Sequence, residues 1–414
     1  MDFQIEDYVP ERDLEAVRRI WHEVGWLDPT NATLVESMDH LLDASRGWVV
    51  RIRDEAECLV LCARGDLRYL DEDIPFSGVT GVTTSRIARK QGIAGRLTAH
   101  GVAEEARAGA MISGLGMFDQ GYYDRLGFGT GTYDHWVSFD PARLNVEPAR
   151  RTPHRLTRED WEQMHTARCA RKKSHGFVTF DAPEMTRHHL AEHAKGFGLG
   201  YYDGPKGELS HYIWFRSTRG ENGPYYIGWL ACQTDAQFLE LLGVIKNLGD
   251  QVHKVVMMEP PEIQLQDFIK QPLHQEIVSN DAKFSTGIRS HAFWQARICD
   301  LPGCLARTHL RCDELRFNLA VTDPIESLLD PKAEWRGVAG DYVVGLGKNC
   351  GAEAGTNKAL PTLTCTVNAF TRMWLGVRSA SGLSVTDQLE GPPELIEELD
   401  WAFRLPECKR DWEF

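Results

Sequence analysis

Gly81-Val82-Thr83-Thr84-Ser85-Arg86-Ile87-Ala88-Arg89-Lys90-Gln91-Gly92-Ile93-Ala94-Gly95-Arg96-Leu97 joins two kinds of pattern. Before it runs Phe76 to Thr84, rich in Val and Thr as strands are; after it Leu97, Val102 and Ala106 recur at helical spacing. A strand-to-helix junction aims several backbone N–H groups and the positive end of a helix dipole at one spot, which suits a pyrophosphate. Gly92 and Gly95 let the backbone come close, and Arg89, Lys90 and Arg96 supply cationic donors. A plain loop with incidental basic residues would show the same letters, so the rest of the chain has to decide.

Around this junction the pattern is α/β. Leu14, Val17, Ile20, Trp21 and Val24 mark a first amphipathic helix, followed by strand-like runs at 48–53 and 57–63, and a further strand at 111–117 follows the helical stretch 92–110. Pro141 to Pro153 carries three prolines and no periodicity, which makes it a linker. The order then repeats: a helix near 158–168, strands at 199–203, 209–216 and 224–231, a helix from Asp235 to Asn247 and a strand at 252–258, which suggests an internal duplication. After a polar stretch at 279–290, the apolar run Ala292 to Ile298, strands at 315–322 and 362–368 and helical stretches around Met373 and 395–403 form an α+β unit.

With 414 residues, 42% of them hydrophobic, the chain can build two or three cores. Its net charge of -14 argues against nucleic acid and against a polybasic membrane contact, and suits a cationic partner. No apolar run of about 18 residues is present and the first residues lack a signal peptide's pattern, so the expectation is a cytoplasmic protein. Ten cysteines without a CxxC read as reduced thiols, and Cys299, Cys304 and Cys312 fit no tetrahedral spacing, so no metal is expected. His189 and His193 share one helix face and read as solvated surface.

Arg89-Lys90-Gln91-Gly92-Ile93-Ala94 is similar to the Arg/Gln-x-x-Gly-x-Gly/Ala signature of the GNAT acetyltransferases. The resemblance implies that acetyl-CoA is the co-substrate, held by Val82, Thr83, Thr84 and by Arg89, Lys90, Gln91, Gly92, Ile93, Ala94 and Gly95, with Phe118 and Asp119 at the next strand's end. Asp119-Gln120-Gly121-Tyr122-Tyr123-Asp124-Arg125-Leu126-Gly127-Phe128-Gly129 resembles an element of the enhanced-intracellular-survival (Eis-like) acetyltransferases and sets Tyr123 at that family's catalytic tyrosine. A Tyr hydroxyl suits protonation of a departing thiolate; a packed aromatic beside Gly127 is the plainer reading.

Asp411-Trp412-Glu413-Phe414 resembles the family's ending, where a terminal phenylalanine carboxylate is the general base and a penultimate acidic residue adds charge to the amine pocket. An amine of pKa about 10.4 needs such a base at neutral pH. A terminus is ordinarily frayed, but aromatics at Trp412 and Phe414 argue for docking. Phe293-Trp294-Gln295-Ala296-Arg297-Ile298-Cys299-Asp300-Leu301-Pro302 looks like the start of the family's last domain.

The resemblance therefore implies tandem GNAT-like domains with mixed sheets flanked by helices, at 1–145 (catalytic) and 146–288 (degenerate, lacking the loop), and a sterol-carrier-like α+β domain at 289–414. Trp26 and Asp28 are candidate substrate walls beside Glu413. The expected reaction is direct acetyl transfer to the primary amine of a cationic acceptor such as an aminoglycoside, a polyamine or a lysine, in a homo-hexamer by resemblance. Leu126, Phe128, Gln120, Gly121 and Thr83-Thr84-Ser85 depart from the family's usual residues and leave its substrate preference open. The rival readings are a lipid or small-molecule carrier on an inactive acetyltransferase scaffold, and a protein-lysine acetyltransferase.

Overall fold

A computed structural model describes residues 3–193, 195–218, 220–272 and 287–414. Most of the polar stretch 279–290, read above as a segment boundary, lies outside the described residues.

The chain opens with β1 (Gln4–Asp7), α1 (Pro10–Glu23), α2 (Ala32–Asp43), β2 (Arg46–Ile52), β3 (Glu55–Tyr69), β4 (Glu72–Thr84), α3 (Ile93–Arg107), β5 (Ile112–Gly116) and β6 (Gly129–Thr130). Pro10 starts α1, where a missing N–H costs nothing, and its apolar stripe buries Val17, Ile20 and Trp21 completely. There follow β7 (Asp134–Phe139), β8 (His154–Leu156), α4 (Trp161–Cys169), β9 (Val178–Phe180), α5 (Pro183–Glu192), β10 (Phe197–Tyr201), β11 (His211–Thr218), β12 (Tyr225–Ala231), α6 (Asp235–Lys246), β13 (Val255–Met258) and β14 (Gly287–His291). The last part holds β15 (Trp294–Ile298), α7 (Leu301–Ala306), β16 (Leu315–Thr322), β17 (Gly340–Leu346), β18 (Gly351–Ala354), β19 (Thr362–Thr366), α8 (Val367–Trp374), α9 (Ala380–Thr386), β20 (Leu389–Glu390) and α10 (Pro393–Ala402).

The described strands form three mixed sheets flanked by helices, the α/β architecture expected from the sequence. The first has the order β1-β2-β3-β4-β5-β15-β6 with β9 added at β3; the second runs β14-β7-β13-β12-β11-β10-β8; the third runs β18-β17-β16-β19-β20. Sheet membership does not follow linear order. β7, from before the Pro141–Pro153 linker, lies in the second sheet, while β9 and β15 reach back into the first.

These exchanges weld the regions together. Arg297 on β15 and Asp323 after β16 form a fully buried ion pair at 2.6 Å, and the Tyr69 ring stacks on Trp374 at 4.1 Å while its hydroxyl donates to the Trp374 carbonyl at 2.9 Å. One apolar cluster accordingly runs from Trp21 on α1 and Val49 in the first sheet to Phe370 and Trp374 on α8.

Candidate active site

β4 and β5 run parallel and pair from Phe76↔Ile112 to Val79↔Leu115, and there the pairing stops. β4 is bent at that point by Gly81, whose φ of +61° is a left-handed conformation open to glycine, and by a bulge against β3. Beyond it Thr83 and Thr84 pair on the β3 side only, with Leu59 and Cys58. The opposite edge of Val82 to Thr84 faces a parting between strands, where an extended ligand could add itself by backbone hydrogen bonds.

The parting leads to an open cleft of about 840 Å³. Val82, Thr83, Thr84, Arg89, Lys90, Gly92, Ile93 and Ala94 line it, together with Trp26 and Phe118. Gln91 is instead turned back on its own loop, donating to the Ile87 carbonyl at 2.9 Å, and Gly95 packs near Arg125. Val24, Ala88, Tyr122 and Arg125 also line the cleft and were not singled out from the sequence; Tyr122 and Arg125 lay inside the quoted 119–129 element, one residue from Tyr123 and two from Gly127.

α3 begins at Gly92, which has φ +76° and offers no side-chain cap. α6, in the corresponding place of the second sheet, is closed on itself by a capping box between Thr234 and Gln237. The first helix thus leaves its N-terminal donors open to an anion, and exposed Arg89 and Lys90 stand beside them without an ion-pair partner among the described residues.

Tyr123 lies at the end of the turn 119–123, 2% exposed, edge-on to Tyr122 at 4.8 Å and to Phe118 at 5.7 Å. Burial pushes its phenol well above the usual value. The segment that follows is held by the chain's last third: Gln295 Nε2 donates to Asp124 Oδ1 at 2.7 Å, and Asn368 Nδ2 donates to the Asp124 and Phe128 carbonyls, both at 2.8 Å. Exposed Asp119 accepts, through its carbonyl, from the Tyr122 N–H.

The tail 408–414 is docked along its length. Thr132 donates to the Cys408 carbonyl, the Lys409 N–H donates to the His175 carbonyl at 3.1 Å, Arg410 pairs with Asp134 at 3.2 Å and Arg171 pairs with Asp411. Trp412 is 1% exposed, and Glu413 pairs with Arg216 at 3.4 Å. The Phe414 ring packs edge-on to Phe76 at 5.3 Å and Phe180 at 5.8 Å. Its backbone lies against Gly116, so close that a Cβ there would come within 2.9 Å of the Phe414 oxygen. Phe414 therefore sits at the point where β4 and β5 part.

Other sequence candidates fall elsewhere. Asp28 is spent in a local turn, accepting from the Thr30 N–H at 2.9 Å and hydroxyl at 2.8 Å, which hold its carboxyl below the usual range. His189, read above as solvated, is 5% exposed; burial pushes it well below its ordinary value, because α5 turns this face onto α4 and the tail rather than to water. One further cluster, Asp203, His211 and Glu240, brings three potential metal ligands together, but Arg151 bonds both carboxylates at 2.7 Å and already supplies their counter-charge.

Residues 7–131 match the GNAT acetyltransferase domain. Several solved structures align over the whole of this chain. A protein of unknown function from Enterococcus faecalis, described as a probable N-acyltransferase, is 16% identical with TM-score 0.79 over 100% of both chains. A GCN5-related N-acetyltransferase from Kribbella flavida is 16% identical with TM-score 0.76 over 100% of this chain and 98% of its own. Eis1 from Mycobacterium abscessus is 16% identical with TM-score 0.74 over 100% of both. No protein of curated function matches the chain. The chain carries a GNAT acetyltransferase domain and is an acyltransferase; domains of this class use acetyl-CoA.

Proposed function

We propose that the protein transfers acetyl from acetyl-CoA directly to a primary amine that is cationic at neutral pH, and that it is Eis-like in using its tail for the chemistry. The observation that carries this reading is the position of Phe414, against Gly116 where β4 and β5 part, on the same strand pair whose Val82–Thr84 edge lines the cleft.

In this reading the open N–H groups of α3, with Arg89 and Lys90, hold the pyrophosphate, and the free edge of Val82 to Thr84 pairs with the pantetheine amides and offers an N–H to the thioester oxygen. A carboxylate at Phe414 takes the ammonium proton, which frees the amine to attack. Tyr123 gives its proton to the departing sulfur and recovers one from the newly bonded nitrogen. Residues 1–145 carry this site, 146–288 form a second GNAT-like unit without a cofactor loop, and 289–414, sterol-carrier-like, delivers the tail.

Calorimetric titration of acetyl-CoA followed by a thiol-release assay over a panel of amines tests the proposal. Micromolar binding with amine-dependent CoA release supports it. Absence of binding overturns it, and binding that persists with full turnover after removal of Phe414 overturns the role of the tail.

A further inference from the structure

α4 turns Arg168 inward, beside Met164 and Ala167, so that its side chain is only 3% exposed. Its guanidinium lies between two indoles, 3.6 Å from the Trp412 ring centre and 4.4 Å from that of Trp229. Four arginines lie in or beside the tail, and three are matched: Arg171 by Asp411, Arg216 by Glu413 and, within the tail, Arg410 by Asp134. Arg168 is not. Among the described residues its guanidinium donates no hydrogen bond, and its Nη1 is fully buried without a partner.

Stacking on indoles compensates part of the cost of burying a cation, but it leaves the edge of the guanidinium, where the N–H donors are, unsatisfied. A buried charge without a counter-ion is strongly unfavourable, and a guanidinium presents a fork matched to a carboxylate. Beside this edge lies a cavity of about 20 Å³, lined by Arg168, Arg216, Trp229, Asp411 and Glu413. That is room for about one water-sized atom, such as a single carboxylate oxygen reaching the guanidinium edge, and not for a whole acceptor. Asp411 and Glu413 act on Arg168 at a distance, but each is bonded to an arginine of its own, so the Arg168 guanidinium keeps unfilled donors for an anion entering here.

We propose that the acceptor carries an anionic group, of the carboxylate kind, as well as its amine, and that Arg168 receives that group. The inference rests on the acetyltransferase reading and narrows its substrate class from amines in general to amines of the amino-acid type. The residues that hold the tail then also sort acceptors: a bare polyamine offers nothing to Arg168, whereas a carboxylate converts the unmatched guanidinium into a paired one.

Amine pairs that differ only in a carboxylate test this in the wild-type protein: lysine against cadaverine and ornithine against putrescine, followed by CoA release. The expected result is a kcat/KM at least tenfold higher for the carboxylate-bearing member of each pair, and a ratio falling towards one in Arg168→Gln. Thermal protection of the wild-type protein by lysine but not by cadaverine, in the presence of CoA, is expected alongside and does not depend on how the variant folds. Equal or better use of cadaverine and putrescine overturns the inference while leaving the acetyltransferase reading intact. Failure to bind acetyl-CoA at all overturns that reading instead.

Discussion

Arg171 on the segment after α4 and Asp411 in the tail are 240 positions apart and meet side by side, with Arg171 Nη2 donating to Asp411 Oδ1 at 2.8 Å and Nε to Oδ2. The same guanidinium donates to the Val178 and Arg168 carbonyls, both at 2.6 Å. One side chain thus ties α4, β9 and the tail together, three residues before Phe414.

Arg171→Met leaves the Asp411 carboxylate without its partner in a site where Arg171 itself is 3% exposed. Removing one partner of a buried pair costs about 3–5 kcal/mol. The expected outcome is a lower melting temperature, faster proteolytic loss of the tail and at least a tenfold drop in turnover. A variant with a normal tail by proteolysis and normal turnover would show that the tail is held without this pair.

Gly116 and Gly114 separate the fit of the tail from the fit of the core. A methyl at the exposed Gly116 meets the Phe414 oxygen at 2.9 Å, whereas one at the buried Gly114 meets Phe76 Cζ at 2.7 Å. Gly116→Ala is expected to push the last residue of the tail out of place, costing less stability than a change in the core while lowering kcat at least tenfold. Gly114→Ala overpacks the sheet and is expected to cost about 1–3 kcal/mol. Unchanged kcat in Gly116→Ala argues against a catalytic carboxylate at this position.

The stretch that was easiest to read was local. The Val/Thr-rich strand up to Thr84 and the helical spacing that begins at Gly92 lie within a few residues of each other, so the strand-to-helix loop of the cleft is visible from its letters and spacing, while the bend at Gly81 shows only in the structure. What the spacing could not show is pairing over long distances. β15 looks like the start of a new unit because the apolar run Ala292 to Ile298 follows a polar stretch, yet it pairs with Ile112–Gly116 in the first sheet. His189 and His193 read as surface because only their own helix was in view, and the tail that covers them is more than two hundred residues away. Arg168 carried no signal at all, since its meaning depends on which neighbouring arginines have already found carboxylates.

His175 gives a pH dependence of stability. Its Nδ1 accepts from the Leu70 N–H at 3.1 Å and its Nε2 donates to the Leu375 carbonyl at 3.0 Å, so a second proton would face a donor. Burial lowers it from 6.5 to about 4. The folded state stays neutral while the unfolded chain takes up a proton, so stability is full above pH 6.5 and falls as the pH drops towards 4, by roughly 3 kcal/mol over that window. His175→Gln is expected to flatten this part of the profile in melts taken at successive pH values; an unchanged slope would assign the acid sensitivity to other groups.

Tyr123 and Tyr122 are adjacent in sequence and differ in what they can do. Tyr122 lines the cleft with Arg125 stacked on its ring at 4.5 Å, and Tyr123 lies behind it, its phenol pushed above the ordinary value by burial. A phenol is protonated at neutral pH with or without that shift, so it can donate to a departing thiolate, and a positioned donor contributes about 10²–10⁴-fold to a rate. Tyr123→Phe keeps the ring contacts to Phe118 and Tyr122 and removes only the proton, so kcat is expected to fall by that factor with little change in the KM for acetyl-CoA. Tyr122→Phe is expected to show the reverse pattern, a raised KM with kcat within a few fold, because it alters the cleft wall and not the donor. Steady-state kinetics on the two single variants separates them: if the kcat loss follows Tyr122, the hydroxyl lining the cleft is the acid and Tyr123 is packing.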